Sequence, residues 1–359
     1  MAPKRDTDPS FLRTEIPNGP SRRRLLTAAG GSLALVAAGP WARLARADEP
    51  PRVVTESTPD NPEEEIQPFV PEVLSTEDWA RIEDLGDGVL AVISTLESEN
   101  YKTVCNGGLV TGSARCLAVD TYMGPEGASW VASEAVRLAG RRPTDLLVTH
   151  YHADHAGGLG GFGVDADGRG LLPTVWMTAK TRDLIRERNG RNEPLDPTVI
   201  AALDRAKILD PETPTELDLG GRSVKIRPFH GHTPSDVVVE TDGKRPVLFW
   251  GDLMWNGFFP NYMDAIPSAL SATVAELAKH RNHQHVGGNG AVASIEQVET
   301  YAAMVEHVGE HARRHFEKGT PEAEAAEAYA LPESVADWTV FGANYFPRAI
   351  GAWYRELGS

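Results

Sequence analysis

Within His150-Tyr151-His152-Ala153-Asp154-His155, followed by Gly157-Gly158, three imidazoles and a carboxylate are crowded into one short stretch. Histidines packed together repel one another once protonated, so the arrangement is costly unless something binds them. A divalent metal ion meets that need. Imidazole nitrogen and carboxylate oxygen are donors that zinc takes at about 2.0–2.2 Å. Alternation at a strand end aims His150 and His152 at one point. Asp154 and His155, in the turn that opens the next helix, aim at a neighbouring one.

The elements around this stretch define where it sits. Leu146-Leu147-Val148-Thr149 reads as a short buried strand, which places the histidines at its carboxyl end. Upstream, residues 88–93 read as a strand and residues 109–120 as a β-hairpin turning at Gly112-Ser113. Residues 128–139 read as a helix stopped by Gly140. The second half repeats the style. Residues 175–177, 223–227, 236–240 and 247–250 read as strands, and residues 267–280 and 294–315 as helices. Strands in two groups, each followed by helices, predict a layered α/β protein.

The 359 residues are 41% hydrophobic and 24% charged, enough for a sizeable core. A formal charge of −16 repels phosphate backbones and anionic membrane surfaces, so nucleic acid is excluded as an expected partner. The N-terminus carries a different message. Ser21-Arg22-Arg23-Arg24-Leu25-Leu26 precedes a mildly apolar run to Pro40, and Ala45-Arg46-Ala47 supplies an A-x-A cleavage site, so residues 1–47 read as a twin-arginine export signal. The run is shorter than the roughly 20 apolar residues a membrane-spanning helix needs. The expected product is a periplasmic or extracellular protein with no membrane contact after cleavage. Residues 48–75 hold six prolines and Glu63-Glu64-Glu65, and read as a linker that cannot bury enough apolar surface to order itself. Residues 76–315 form the expected main domain, and residues 316–359, rich in aromatics, a C-terminal helical extension. Cys105 and Cys116 are expected to be inert buried thiols, because pairing about Gly112-Ser113 sets Cys116 opposite Leu109 and leaves Cys105 out of disulfide reach.

H-x-H-x-D-H after a short apolar strand resembles the signature of the metallo-β-lactamase superfamily. Further motifs follow in order: Leu117-Ala118-Val119-Asp120-Thr121, Gly231-His232-Thr233-Pro234-Ser235-Asp236 and Leu248-Phe249-Trp250-Gly251-Asp252. The resemblance implies a four-layer αββα sandwich with metals at one edge between the two sheets. It implies that His150, His152 and His232 hold a first metal, that Asp154 and His155 hold a second, and that Asp252 bridges them, with Asp120 supporting the site from behind. Where the family places a further histidine, this chain has Val286-Gly287-Gly288-Asn289-Gly290. Asn289 offers a carbonyl oxygen, a weaker zinc donor than imidazole, so the second site is expected to be the looser. His283 or His285 would be substitutes, against their reading as surface histidines on a polar loop. His230 is expected to hydrogen-bond behind the ligands.

The implied chemistry is hydrolysis of an acyl bond (ester, thioester, lactone or amide, β-lactam included) by a metal-activated hydroxide, with Asp154 as the catalytic carboxylate and one or two zinc ions per chain. The expected partner is a small-molecule substrate. Tyr122, Trp255, Asn256, Phe258 and Tyr262 follow the relevant strands and are candidates for the substrate pocket, although aromatic rings there serve equally to close the core against the tail. Two other readings stand beside hydrolysis. A set of histidines and carboxylates also suits iron and a redox reaction, and a weakened second site would suit a non-catalytic metal- or ligand-binding protein.

Overall fold

The computed structural model describes residues 70–96, 100–163, 173–189 and 194–359, so the expected export signal and the expected linker up to residue 69 lie outside the described residues. In chain order the first sheet is built from β1 (Glu72–Thr76), β2 (Ala80–Gly86), β3 (Val89–Ser94), β4 (Gly107–Thr111), β5 (Cys116–Val119), β6 (Asp145–Leu147), β7 (Thr174–Thr178) and β8 (Lys207–Leu209), in that spatial order. It is antiparallel as far as β5 and parallel from β5 to β8. The second sheet has the order β13-β12-β11-β10-β9, formed by β9 (Thr215–Asp218), β10 (Ser223–Phe229), β11 (Asp236–Thr241), β12 (Val247–Trp255) and β13 (Gln284–Asn289).

Both sheets are buried on both faces, which is why β3 and β12 read as unbroken apolar runs rather than alternating ones. Val89, Ala91 and Ile93 meet Val247, Phe249 and Val286 in a core between the sheets. Leu90 and Val92, on the other face of β3, pack with α1 (Pro125–Ala139) and the residues of α3 (Ala179–Leu184) and α4 (Pro197–Asp204); α2 (Ala153–Ala156) is the single turn that follows the histidine stretch. Leu248 and Trp250 of β12 point the opposite way, into a third cluster with α5 (Pro267–Leu277), α6 (Ile295–Glu317), α7 (Glu322–Glu327) and α8 (Tyr345–Leu357). The result is the expected four-layer αββα arrangement.

Several boundaries differ from the sequence expectation. Glu72–Thr76, all but its last residue inside the expected linker of residues 48–75, pairs with β2 as an edge strand. The hairpin uses residues 112–115 as its loop, so Cys116 faces Thr111 and Leu109 faces Ala118. The register argument against a disulfide was therefore two residues out, and the thiols are nevertheless free and buried. The helix that reads from residue 128 begins at Pro125, whose fixed φ suits a first turn, and Gly140 ends it in the left-handed region at φ 70°. The C-terminal extension is continuous with the second helical layer, since Ala325, Tyr329 and Trp353 share a cluster with Trp250 and Tyr301. No helix among the described residues is long and apolar enough to cross a membrane.

Candidate metal centre

Four elements deliver the donors. After β6 the chain is tied down at Thr149, whose N–H donates to Asp120 Oδ1 at 2.8 Å and whose C=O accepts from Val237 N at 2.9 Å, linking the loop to both sheets. His150 and His152 follow, and α2 carries Asp154 and His155. His232 precedes β11, and Asp252 lies within β12. The parallel β12–β13 register slips on either side of Gly251, an irregularity that re-aims the chain where Asp252 sits.

His152 Nδ1 lies 3.1 Å from His150 Nε2 and 3.0 Å from His232 Nε2. Asp252 Oδ2 is 3.4 Å from His232 Nε2 and 3.9 Å from His150 Nε2. The other oxygen of Asp252, Oδ1, stands 3.1 Å from His155 Nε2, and Asp154 Oδ2 is 3.7 Å from that same nitrogen. Two groups result, His150-His152-His232-Asp252 and Asp154-His155-Asp252, sharing Asp252.

The donor set fits a metal pair on two further observations. His155 Nε2 and Asp252 Oδ1 are buried and close, yet neither has a hydrogen-bond partner, so their lone pairs are left for a third body. Outer partners also choose which nitrogen faces inward in three of the four rings, His232 Nδ1 being buried without one. Thr149 Oγ1 is 3.1 Å from His150 Nδ1, Asp120 Oδ2 is 2.8 Å from His155 Nδ1, and Asp264 Oδ2 is 3.1 Å from His152 Nε2. Each contact engages the ring nitrogen that faces away from the cluster.

Protonation follows the same geometry. Burial, with the neighbouring rings adding to it, drives His150 well below the usual histidine range, and burial lowers His232 to about 3 against the pull of Asp252. Burial alone would raise Asp252, but His155, His232 and His152 hold it at about 2. Burial raises Asp154, with His155 opposing and Asp252 adding to it. Hydrogen bonding from His152 leads the lowering of Asp264, which also accepts from Tyr151 and pairs with Arg188 at 3.2 Å.

Asn289 ends β13 beside Trp255, and its main-chain oxygen accepts from Asn256 N at 2.9 Å. The Gly-Gly-Asn segment that reads as a turn is thus the last stretch of a parallel strand. Gly288 is required there: a Cβ on it would lie 1.9 Å from Asp252 Oδ1. His285 is no surface residue. It is fully buried, with Nδ1 accepting from Trp250 Nε1 at 3.1 Å, and it belongs to neither donor group. His283 also lies outside both, 3.3 Å from Glu240. His230 is exposed, and only its backbone oxygen is engaged, by Thr273, so it does not back the ligands.

The pocket candidates divide. Tyr122 and Tyr262 are fully buried core rings, and Asn256 is a structural pin whose amide donates to Ala291 O at 3.0 Å. Trp255, also buried, and Phe258 pack against the C-terminal segment: Phe258 stacks on Phe341 at 5.2 Å, and Trp255 meets Phe341 at 5.7 Å and Tyr345 at 6.5 Å. Tyr345 was not legible as a site residue. Burial pushes its hydroxyl up to about 12, and the charges of Asp252 and Asp154 reach it from the metal side. Asp264 was missed as well. The one available signal was that it is the sole charged residue between Asp252 and Pro267.

Residues 101–284 match the profile of the Metallo-beta-lactamase superfamily. The acyl-coenzyme A thioesterase MBLAC2 of Homo sapiens is 27% identical over 210 residues, covering 51% of this chain and 70% of that protein, and its Bos taurus counterpart is 26% identical over the same length. Among solved structures, the stereoselective inverting sec-alkylsulfatase Pisa1 from Pseudomonas sp. superposes with a TM-score of 0.60 at 15% identity, covering 77% of this chain and 50% of that one. A metallo beta lactamase from Erythrobacter litoralis gives 0.51 at 17%, covering 66% and 100%. At these identities the solved structures show a shared fold. With the donor groups at the sheet edge and more than half of the chain matched, this chain belongs to the metallo-beta-lactamase superfamily and is a metal-dependent hydrolase.

Proposed function

We propose that the protein is an exported zinc hydrolase of acyl bonds, with thioesters as the first class to examine. The observation that carries the reading is the pair of donor groups sharing Asp252, made of nitrogen and oxygen only. His150, His152 and His232 would hold one ion, Asp154 and His155 a second together with the oxygen of Asn289, and Asp252 would lie between them. When bound, the metal supplies a Lewis acid for the substrate carbonyl and a water of lowered pKa.

The chain's own residues do the rest. The Asp154 side chain is 23% exposed whereas that of Asp252 is 3%, so Asp154 is the carboxylate a substrate can reach. It would take a proton from the attacking water at Oδ2 and return it to the departing thiol or alcohol. Asp264, Asp120 and Thr149 hold the imidazoles in the tautomers described above. The half-buried Phe258, Phe341 and Tyr345, backed by the buried Trp255, would give an apolar acyl group a surface to rest on. The thioesterase name of the relatives supports the acyl class, and the two groups that share Asp252 hold only nitrogen and oxygen donors, which makes iron the competing metal.

The test is elemental analysis of protein purified without added metal, followed by a panel of thioesters, esters, lactones and a β-lactam. Zinc together with thioester or ester turnover supports the reading, provided His150→Ala and His232→Ala lose both metal and turnover. Iron with no turnover on the panel would favour redox chemistry. Export rests on Arg22-Arg23 and Ala45-Arg46-Ala47. Replacing both arginines by lysine removes the planar guanidinium and should hold the precursor in the cytoplasm. Undiminished export of that variant would remove the twin-arginine reading.

A further inference from the structure

A second cluster of donors lies away from the catalytic edge. Glu240 is on β11, four residues past Asp236 and so roughly 13 Å along the strand from the end where His232 enters. His280 and His283 lie in the turn between α5 and β13, where His283 N donates to His280 O at 3.2 Å. The three side chains converge: His283 Nε2 is 3.3 Å and His280 Nδ1 4.0 Å from the same oxygen, Glu240 Oε1. The two rings stand edge-on, 4.9 Å apart at 87°, and are not stacked. All three are half-buried, with side-chain exposures of 24%, 24% and 13% for Glu240, His280 and His283, and are not free surface groups. The remaining ring nitrogen, His283 Nδ1, is buried without a partner.

We propose that Glu240, His280 and His283 form a peripheral binding site for a divalent transition-metal ion, zinc by donor type, that staples the α5–β13 turn to β11. Two imidazoles and one carboxylate make a three-donor set, with water completing the shell. Donors at about 2.0–2.2 Å from a tetrahedral ion stand roughly 3.3–3.5 Å from one another, so Glu240 and His283 are in place and His280 closes by about half an ångström. Burial and the neighbouring His280 lower His283, which favours the neutral ring that a metal ion needs.

Two contacts must yield. Glu240 Oε1 accepts from His283 Nε2–H at 3.3 Å in the ion-free cluster, so binding moves that proton to Nδ1. Arg227 Nη1 lies 3.1 Å from His280 Nε2, so in the ion-free ring Nε2 accepts and the proton sits on Nδ1. Binding moves that proton to Nε2, with no net loss, and Arg227 turns away. It keeps its ion pair with Glu276 and its seat over the Phe229 ring, 5.0 Å from the centroid.

The test is calorimetric titration of the purified holoprotein with Zn²⁺, run side by side on wild type, His283→Ala, His280→Ala and Glu240→Gln, with folding checked by circular dichroism. The two histidine variants are expected to bind one ion fewer per chain than wild type, and Glu240→Gln to bind it at least tenfold more weakly. Hydrolytic turnover should be unchanged in all three, because none contacts the donor groups around Asp252, and that separates this site from a partly filled second position near Asn289. Zn²⁺ should raise the melting temperature of holo wild type and not that of His280→Ala. Equal stoichiometry in wild type and both histidine variants overturns the proposal, as does a variant that loses turnover along with the ion.

Discussion

At the level of single residues the centre depends on contacts that no spacing rule announces. Asp264 fixes His152 with its Nδ1 inward, so Asp264→Asn should weaken metal binding by about 10–100-fold while leaving the melting temperature of the metal-free protein nearly unchanged, measured by competition with a chelator. Gly288 is exacting for a different reason. Its φ is ordinary, but an added methyl collides with Asp252 Oδ1, which is buried and cannot swing aside. Gly288→Ala should therefore expel Asp252 from its position and abolish turnover in a protein that still folds, which circular dichroism and a progress curve would show together. Asn289→His puts imidazole where the chain has an amide and should raise metal content towards two per chain. Two ions already present in wild type would show that the amide ligates well enough.

Among elements, the β12–β13 pair carries a titratable group that the catalytic chemistry does not use. Trp250 donates its Nε1–H to His285 Nδ1, so His285 must be the neutral Nε2–H tautomer, and protonation would set two N–H groups face to face. Burial lowers this histidine from 6.5 to about 4. Below pH 6.5 the unfolded chain takes up the proton and the folded one does not, so stability falls as pH drops from about 6.5 to about 4 and then levels off, by at most roughly 3 kcal/mol. His285→Asn keeps an acceptor for Trp250 without the titration. Its stability in urea should fall less than that of wild type between pH 7 and pH 4.5. This histidine also shows where sequence reading gives out. The H-x-H-x-D-H stretch, His232 and Asp252 were legible because metal chemistry constrains residue type and spacing locally. The short strands β1, β8, β9 and β13 were not, because prolines, charges and glycines hide a strand whose pairing is decided by partners distant in sequence. Asp264 and Tyr345 escaped for the same reason: only tertiary packing brings them to the histidines.

For the molecule as a whole, the donors come from both halves. His150, His152, Asp154 and His155 belong to the first sheet's connections, whereas His232 lies in the β10–β11 connection and Asp252 within β12 of the second sheet. An ion held among them is a bond between sheets, additional to the apolar core of Ile93, Val110, Val239 and Phe249. Chelation should then lower the melting temperature on the order of 5 °C, reversed by adding zinc. An unchanged melting temperature would mean that the apolar core alone sets the stability.

The division of donors between distant parts of the chain also orders events during synthesis. His155 leaves the ribosome 134 residues before Asn289, an interval on the order of ten seconds at roughly 5–20 residues per second. Throughout it the nascent chain offers a bare half-set of imidazoles that any abundant divalent ion could occupy, with nothing yet to discriminate among them. Selectivity arrives only when β12 and β13 dock and Asp252 closes over Gly288. The full donor set therefore exists only in the completed chain, and the metal supply met after translation is expected to count for more than the supply met by the growing chain.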